Sequence, residues 1–159
     1  MAARLYTIGY EQASLDQVIG ALKAAGVALV LDVRAVAASR RAGFSKTMLA
    51  ASLKAAGVDY IHLRALGTPK AGREAARAGR IAQMHDIFEA HLAEPDAILA
   101  LAEAGEIARA RPTALLCYEA DAAHCHRRIL ADRLRAELNF DVVDLDIAPH
   151  PPSTAAKPG

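Results

Sequence analysis

Short apolar runs alternate with segments whose apolar residues recur at helical spacing. Leu5-Tyr6-Thr7-Ile8 is a β-branched and aromatic run that stops at Gly9, which predicts a strand. Ser14 and Gln17 have the spacing of a capping box. Leu15, Val18, Ile19 and Leu22 then mark one helical face, and Gly26 supplies the stop. Residues 27–31 are continuously apolar and short, as a strand covered on both sides should be. A loop over residues 35–44 leads to a helix capped by Ser45, with Met48, Leu49 and Leu53 on one face and a stop near Gly57. Residues 59–63 predict a third strand, 113–118 a fourth and 141–145 a fifth.

Between the third and fourth strands the pattern is less regular. Residues 64–82 are basic and contain Gly67, Pro69, Gly72 and Gly79, which predicts a long loop with at most one helical turn. Met84, Ile87, Phe88, His91 and Leu92 are again at helical spacing. Pro95 suits the first turn of a further helix that ends before Pro112. Leu130, Leu134 and Leu138 mark the last helix. The eleven residues from Pro149 contain four prolines and predict a disordered tail. The whole reads as one α/β domain over residues 1–148: a doubly wound, mainly parallel sheet of about five strands with helices on both faces.

Composition refines this picture. Of 159 residues 53% are hydrophobic, but 38 are alanine, so the supply of large core side chains is ordinary. No apolar run is long enough to span a membrane and the first residues do not resemble a signal peptide. Two cysteines make no disulfide framework, so a reducing cytoplasm is the expected compartment. The net charge is only +1, yet residues 34–80 hold ten Lys/Arg against Asp59 and Glu74, while residues 81–107 hold six acids and no Lys or Arg. That asymmetry suggests a basic surface facing an anionic partner, or a basic segment paired with the acidic one in the folded domain.

The chemistry-bearing residues collect at the predicted carboxyl ends of the strands, where open α/β sheets bind ligands. Gly9 ends the first strand, Asp32-Val33-Arg34 the second, and Cys117-Tyr118-Glu119 the fourth. Cys125-His126-Arg127 opens the helix that follows. Arg34, Arg40 and Arg127 offer forked donors for phosphate or carboxylate, Lys46 adds a charge, and Gly9, Ser39 and His126 join them as ligand-contacting positions. Asp32 is a catalytic carboxylate or the partner of Arg34 in a buried pair. Glu119 suits a general base or an anchor. Cys117 is a core thiol or a nucleophile, and Cys125, at a helix start, is an activated thiol or an inward-packed one.

Several other site types are poorly supported. His124, Cys125 and His126 are consecutive and point apart, and no CxxC or HxxxH spacing is present, so neither a metal nor another cofactor is expected. A phosphatase- or rhodanese-type cradle needs a short backbone-rich loop from cysteine to arginine. Here Cys117 precedes Arg127 by ten residues and no glycine intervenes. Nucleotide-binding glycine motifs are absent.

In order along the chain, Thr7-Ile8-Gly9-Tyr10, Asp32-Val33-Arg34, Ser39-Arg40, Phe44-Ser45-Lys46, Leu66-Gly67, Leu116-Cys117-Tyr118-Glu119 and Cys125-His126-Arg127 resemble the domain of unknown function 488 family. The resemblance covers residues 4–146. The family's loop is similar to Pro-x-Ser-Arg with a further proline before the Phe. Residues 36–44 here contain neither proline. The resemblance implies an α/β fold and a shared site but specifies no reaction. The leading expectation is therefore a cytoplasmic, non-membrane α/β protein binding a phosphate-bearing or other anionic ligand, with or without turnover. The alternatives are a non-catalytic nucleic-acid-binding module using the basic 64–80 segment, and a thiol-dependent redox protein.

Overall fold

A computed structural model describes residues 3–119 and 125–147 of the chain. The expected tail from Pro149 and the position of His124 lie outside these residues. The elements run β1 (Ala3–Gly9), α1 (Leu15–Ala24), β2 (Leu29–Asp32), α2 (Lys46–Ala55), β3 (Asp59–His62), a 3-10 turn (Arg64–Leu66), α3 (Lys70–Arg77), α4 (Ile81–His91), α5 (Pro95–Ala110), β4 (Thr113–Cys117), α6 (His126–Leu138) and β5 (Phe140–Asp144). The five strands form one sheet in the order β3-β2-β4-β1-β5, with every pairing parallel. The expected α/β architecture is therefore present.

Each face of the sheet carries its own core. On one side Val18 and Leu22 of α1 and Leu49 and Leu53 of α2 pack against Ile8, Val30, Ala114 and Leu116. On the other, Phe88 of α4, Ala97 and Ala104 of α5, and Leu130 and Leu134 of α6 pack against Leu5, Leu29, Leu31 and Leu115. The alternation of β4 residues between the two cores follows from the two-residue period of a strand. All five β4 residues are buried, and the one polar side chain among them, Thr113, satisfies its hydroxyl on the Arg111 carbonyl at 2.8 Å.

Local signals fix the helix starts. Ser14 Oγ accepts from the Gln17 amide at 3.1 Å while Gln17 Oε1 accepts from the Ser14 amide at 2.8 Å, completing the predicted capping box of α1. Ser45 stands at the start of α2 but makes no cap. Its hydroxyl instead accepts from the Ser39 amide and donates to the Ser39 carbonyl, tying down the 35–44 loop.

One segment differs from its expected form. Residues 64–82 are not a long loop, because α3 occupies Lys70–Arg77. Its inward positions are Gly72 and Ala75, so no large apolar residue marks the helical face. A Cβ on Gly72 would press on Thr68, so the helix needs the glycine to sit this close to the chain before it.

The topology also sets where a ligand can reach. The chain leaves β1 and β2 on the face of α1 and α2, and leaves β4, their common neighbour, on the opposite face. Divergence of this kind opens a crevice at the carboxyl ends of the strands.

Candidate functional site

Two buried clusters stand at that carboxyl edge. The first is built on Asp32 and Arg34. Asp32 is wholly buried, and Arg34 closes on it with both prongs: Nε to Oδ1 at 2.8 Å and Nη2 to Oδ2 at 2.7 Å. Arg34 Nη1 donates to the Tyr10 hydroxyl at 3.0 Å and to the Phe44 carbonyl at 2.8 Å. The Tyr60 hydroxyl donates to Asp32 Oδ2. Burial works against the Arg34 charge, but the hydrogen bonds and attraction of Asp32 outweigh it and hold the guanidinium protonated. Burial, with the hydrogen bond to the Asp32 carboxylate, raises the Tyr60 phenol above the ordinary tyrosine range.

The second cluster joins β1, β4 and the start of α6. Tyr10 and Glu11 extend the β1–β4 ladder by donating to the carbonyls of Cys117 and Tyr118. Arg127 is buried and its Nη1 donates to Cys117 Sγ at 3.1 Å and to the Glu119 carbonyl. Glu119 Oε1 lies 3.9 Å from Cys117 Sγ. Cys125 precedes the first residue of α6 in extended conformation, and its sulfur turns back to accept from the Arg127 amide. Cys117 and Cys125 are joined to each other as a disulfide, so among the described residues neither is the free thiol that the sequence offered as a nucleophile. His126 Nε2 lies 2.6 Å from the Val33 carbonyl, linking this cluster to the end of β2. A carbonyl only accepts, so Nε2 carries the proton. Burial pushes the His126 pKa down to about 4, aided by the neighbouring Arg127 charge, so the ring is neutral.

Between the clusters and α3 lies a cavity of about 350 Å³. Arg34, His126, Tyr10 and Tyr118 line it from the sheet edge, and Thr68, Arg73 and Arg77 from the other wall. Tyr10 stacks on Phe44 with ring centroids 4.2 Å apart, and Tyr118 meets Tyr10 edge-on at 5.4 Å. Arg73 Nη1 donates to the Thr68 carbonyl at 2.8 Å.

Of the residues singled out in the sequence, Arg34 and His126 reach the cavity. Gly9, Asp32, Cys117, Glu119, Cys125 and Arg127 form the structure around it. Ser39 is a loop brace whose hydroxyl accepts from the Arg41 amide. Arg40 and Lys46 are exposed and outside the cavity lining. Arg41 turns back to the Tyr10 and Ala13 carbonyls. His62 of β3 and His91 of α4 tie loops together, since His62 Nε2 lies 2.7 Å from the Arg34 carbonyl and His91 Nε2 lies 2.7 Å from that of Ala65.

Sequence reasoning missed Arg73 and Arg77 as individual site residues. Their four-residue spacing was the available signal, because it puts both on one side of a helix. The 64–80 segment is basic in sequence, but only α3 aims these two side chains at the strand ends.

Fold and site together define a parallel α/β protein with a cation-lined cavity at the carboxyl edge of its sheet. A family model described as Domain of unknown function DUF488 matches residues 14–134. The chain belongs to that family. Searches of curated proteins and of solved structures find no match. Among the described residues, no helix is long and apolar enough to cross a membrane.

Proposed function

We propose that the cavity binds a small phosphate-bearing or otherwise anionic ligand. One observation carries this reading: Arg34, Arg73 and Arg77 line a single cavity, and among the described residues its lining includes no carboxylate. Neither Arg73 nor Arg77 pairs with a carboxylate among the described residues. Like charges four residues apart on a helix repel by roughly 0.2–0.5 kcal/mol, and an anion between them offsets that cost. Thr68 and the remaining N–H of Arg34 Nη2 complete the donor set, and Tyr10 and Tyr118 supply an aromatic wall. Asp32 fixes the aim of Arg34, and Arg127 fixes the Glu119 backbone, so both act as positioning residues in this reading.

The arrangement supports a small ligand over a nucleic acid. Arg64, Lys70 and Arg73 border a second groove, but Glu94, Asp96 and Glu103 line the same groove. A polyanion lying along the basic segment would meet those carboxylates. Binding through many phosphates needs a continuous positive track.

Calorimetric titration of the full chain with inorganic phosphate, pyrophosphate and a nucleoside monophosphate tests the reading. At least one should bind, and Arg73→Ala and Arg77→Ala should each weaken it by about tenfold or more, because a hydrogen bond to a charged group is worth ~1.5–3 kcal/mol. Arg40→Ala should leave affinity unchanged. Binding equal in all four proteins, or absent for every anion, would overturn the assignment.

A further inference from the structure

The cavity is roomier and less uniformly polar than a bare anion requires. At about 350 Å³ it falls in the roughly 300–1,000 Å³ range of sites for organic molecules, and an inorganic phosphate would fill only a fraction of it. Two large apolar side chains, Val36 and Tyr118, line it while remaining 54% and 43% exposed. Single exposed apolar residues need no explanation, but these two share one cavity with the guanidinium groups of Arg34, Arg73 and Arg77. Among the described residues, the other large exposed ones, Met48 of α2 and Ile98 and Leu99 of α5, are outside this lining.

Tyr118 is held so that its ring stays available. It directly follows the last residue of β4, and its carbonyl accepts from the Glu11 amide at 2.7 Å, so the β1–β4 ladder fixes its backbone. Cys117 beside it packs into the core with α4, α5 and α6, and successive side chains of an extended segment alternate, so Tyr118 is turned away from that core. Tyr10 already lies parallel to Phe44, with 8° between the ring planes. Tyr118 crosses Tyr10 at 81°, and among the described residues no ring stacks on Tyr118. A tyrosine on a fixed backbone has only two torsions to lose, so it offers a stacking platform at low entropic cost.

Resting on the assignment of this cavity to an anion, we propose that the ligand is a nucleoside monophosphate, its phosphate on Arg73 and Arg77 and its base stacked on Tyr118. Every base has a flat π face, so stacking of this kind accepts any of them. The guanidinium groups of α3 and the ring of Tyr118 belong to different walls of the cavity. Phosphate and ring must therefore be held apart, as the sugar holds them in a nucleotide. The volume lies at the low end of the range for organic ligands, which suits one nucleotide and not a chain of them. Val36 gives the cavity further apolar surface that a bare phosphate would leave in water.

The test titrates the full chain, by calorimetry, with adenosine monophosphate and with ribose phosphate, which keeps the sugar and the phosphate but lacks the base. The nucleotide should bind roughly 5–150-fold more tightly, the range that one stacked base contributes. This comparison uses the unmodified protein and requires no variant to fold. Tyr118→Ala should remove most of that gap, and Tyr118→Phe, which keeps the ring, should preserve it. In proton NMR the base protons of the nucleotide should move upfield on binding to the wild type and to Tyr118→Phe, and should not do so with Tyr118→Ala. Equal affinity for the two ligands, a gap that survives Tyr118→Ala, or no binding of the nucleotide where inorganic phosphate or pyrophosphate binds would each overturn the nucleotide assignment and leave the anion reading standing. Absence of binding by every anion would overturn both.

Discussion

Gly9 and Glu119 approach so closely that a side chain at position 9 would overlap the Glu119 carbonyl and press on Arg127 Nη1. The end of β1 can thus lie flush against the segment leaving β4 because position 9 carries no Cβ. Arg127, which donates to that same carbonyl and to Cys117, depends on this closeness.

Gly9→Ala should therefore be costly, though alanine is otherwise the mildest replacement. The added methyl meets backbone that cannot rotate away, so strand and loop must separate. Overpacking in a tight site costs typically ~1–3 kcal/mol, and this variant should fall at or above the upper end. Gly20→Ala is the control, since nothing stands near its Cβ position and it lies within α1. Urea denaturation midpoints of the two variants check this. Equal midpoints would contradict the packing described here.

Asp32 is the second position where a small change should have a large effect. Its carboxylate receives both prongs of Arg34 in a setting where neither residue is substantially exposed. Asp32→Asn nearly preserves volume but leaves the guanidinium buried without a counter-charge. Breaking a buried pair from one side costs about 3–5 kcal/mol. Chemical denaturation should show a loss in that range. Replacing both residues at once, Asp32→Asn with Arg34→Met, should cost less than Asp32→Asn alone. A loss no larger than that of an exposed pair such as Arg135–Asp132 would mean that the buried charges are not coupled as the structure has them.

Much of this architecture was legible in the residues, and the gaps have physical causes. The apolar runs of β2 and β4 announced strands covered on both faces, and Asp32, Cys117 and Glu119 immediately after them marked the carboxyl edge. The α3 helix was hidden because its buried positions are Gly72 and Ala75, which carry no hydrophobic period. That also hid the cavity wall made by Arg73 and Arg77. Side-chain partners far apart in the chain were equally invisible. Nothing in Tyr60 of β3 says that its hydroxyl reaches Asp32, or in His126 that it reaches Val33. Nor does helix-start spacing show that Cys125, extended just before the helix, turns back to join Cys117 of β4.

Tyr60 gives the network a pH signature. Its hydroxyl donates to a carboxylate that already holds Arg34, and ionising it would set a phenolate against Asp32 with nothing between them. The folded protein therefore holds this proton more tightly than the unfolded chain, in which tyrosine titrates near pH 10. With the folded pKa raised, the stabilisation is fully present below about pH 10 and is lost as pH climbs from there toward the folded value. Wild-type stability should accordingly fall from about pH 10 upward, and Tyr60→Phe, which has no proton to lose at this site, should fall less over the same range. Urea midpoints across that interval supply the comparison, since every other titrating group is shared by the two proteins. Ultraviolet titration gives an independent reading: a tyrosine step that appears only as the chain unfolds should be missing from Tyr60→Phe. Parallel pH profiles, together with a late step that survives the substitution, would detach Tyr60 from Asp32 and with it the account of how Arg34 is aimed.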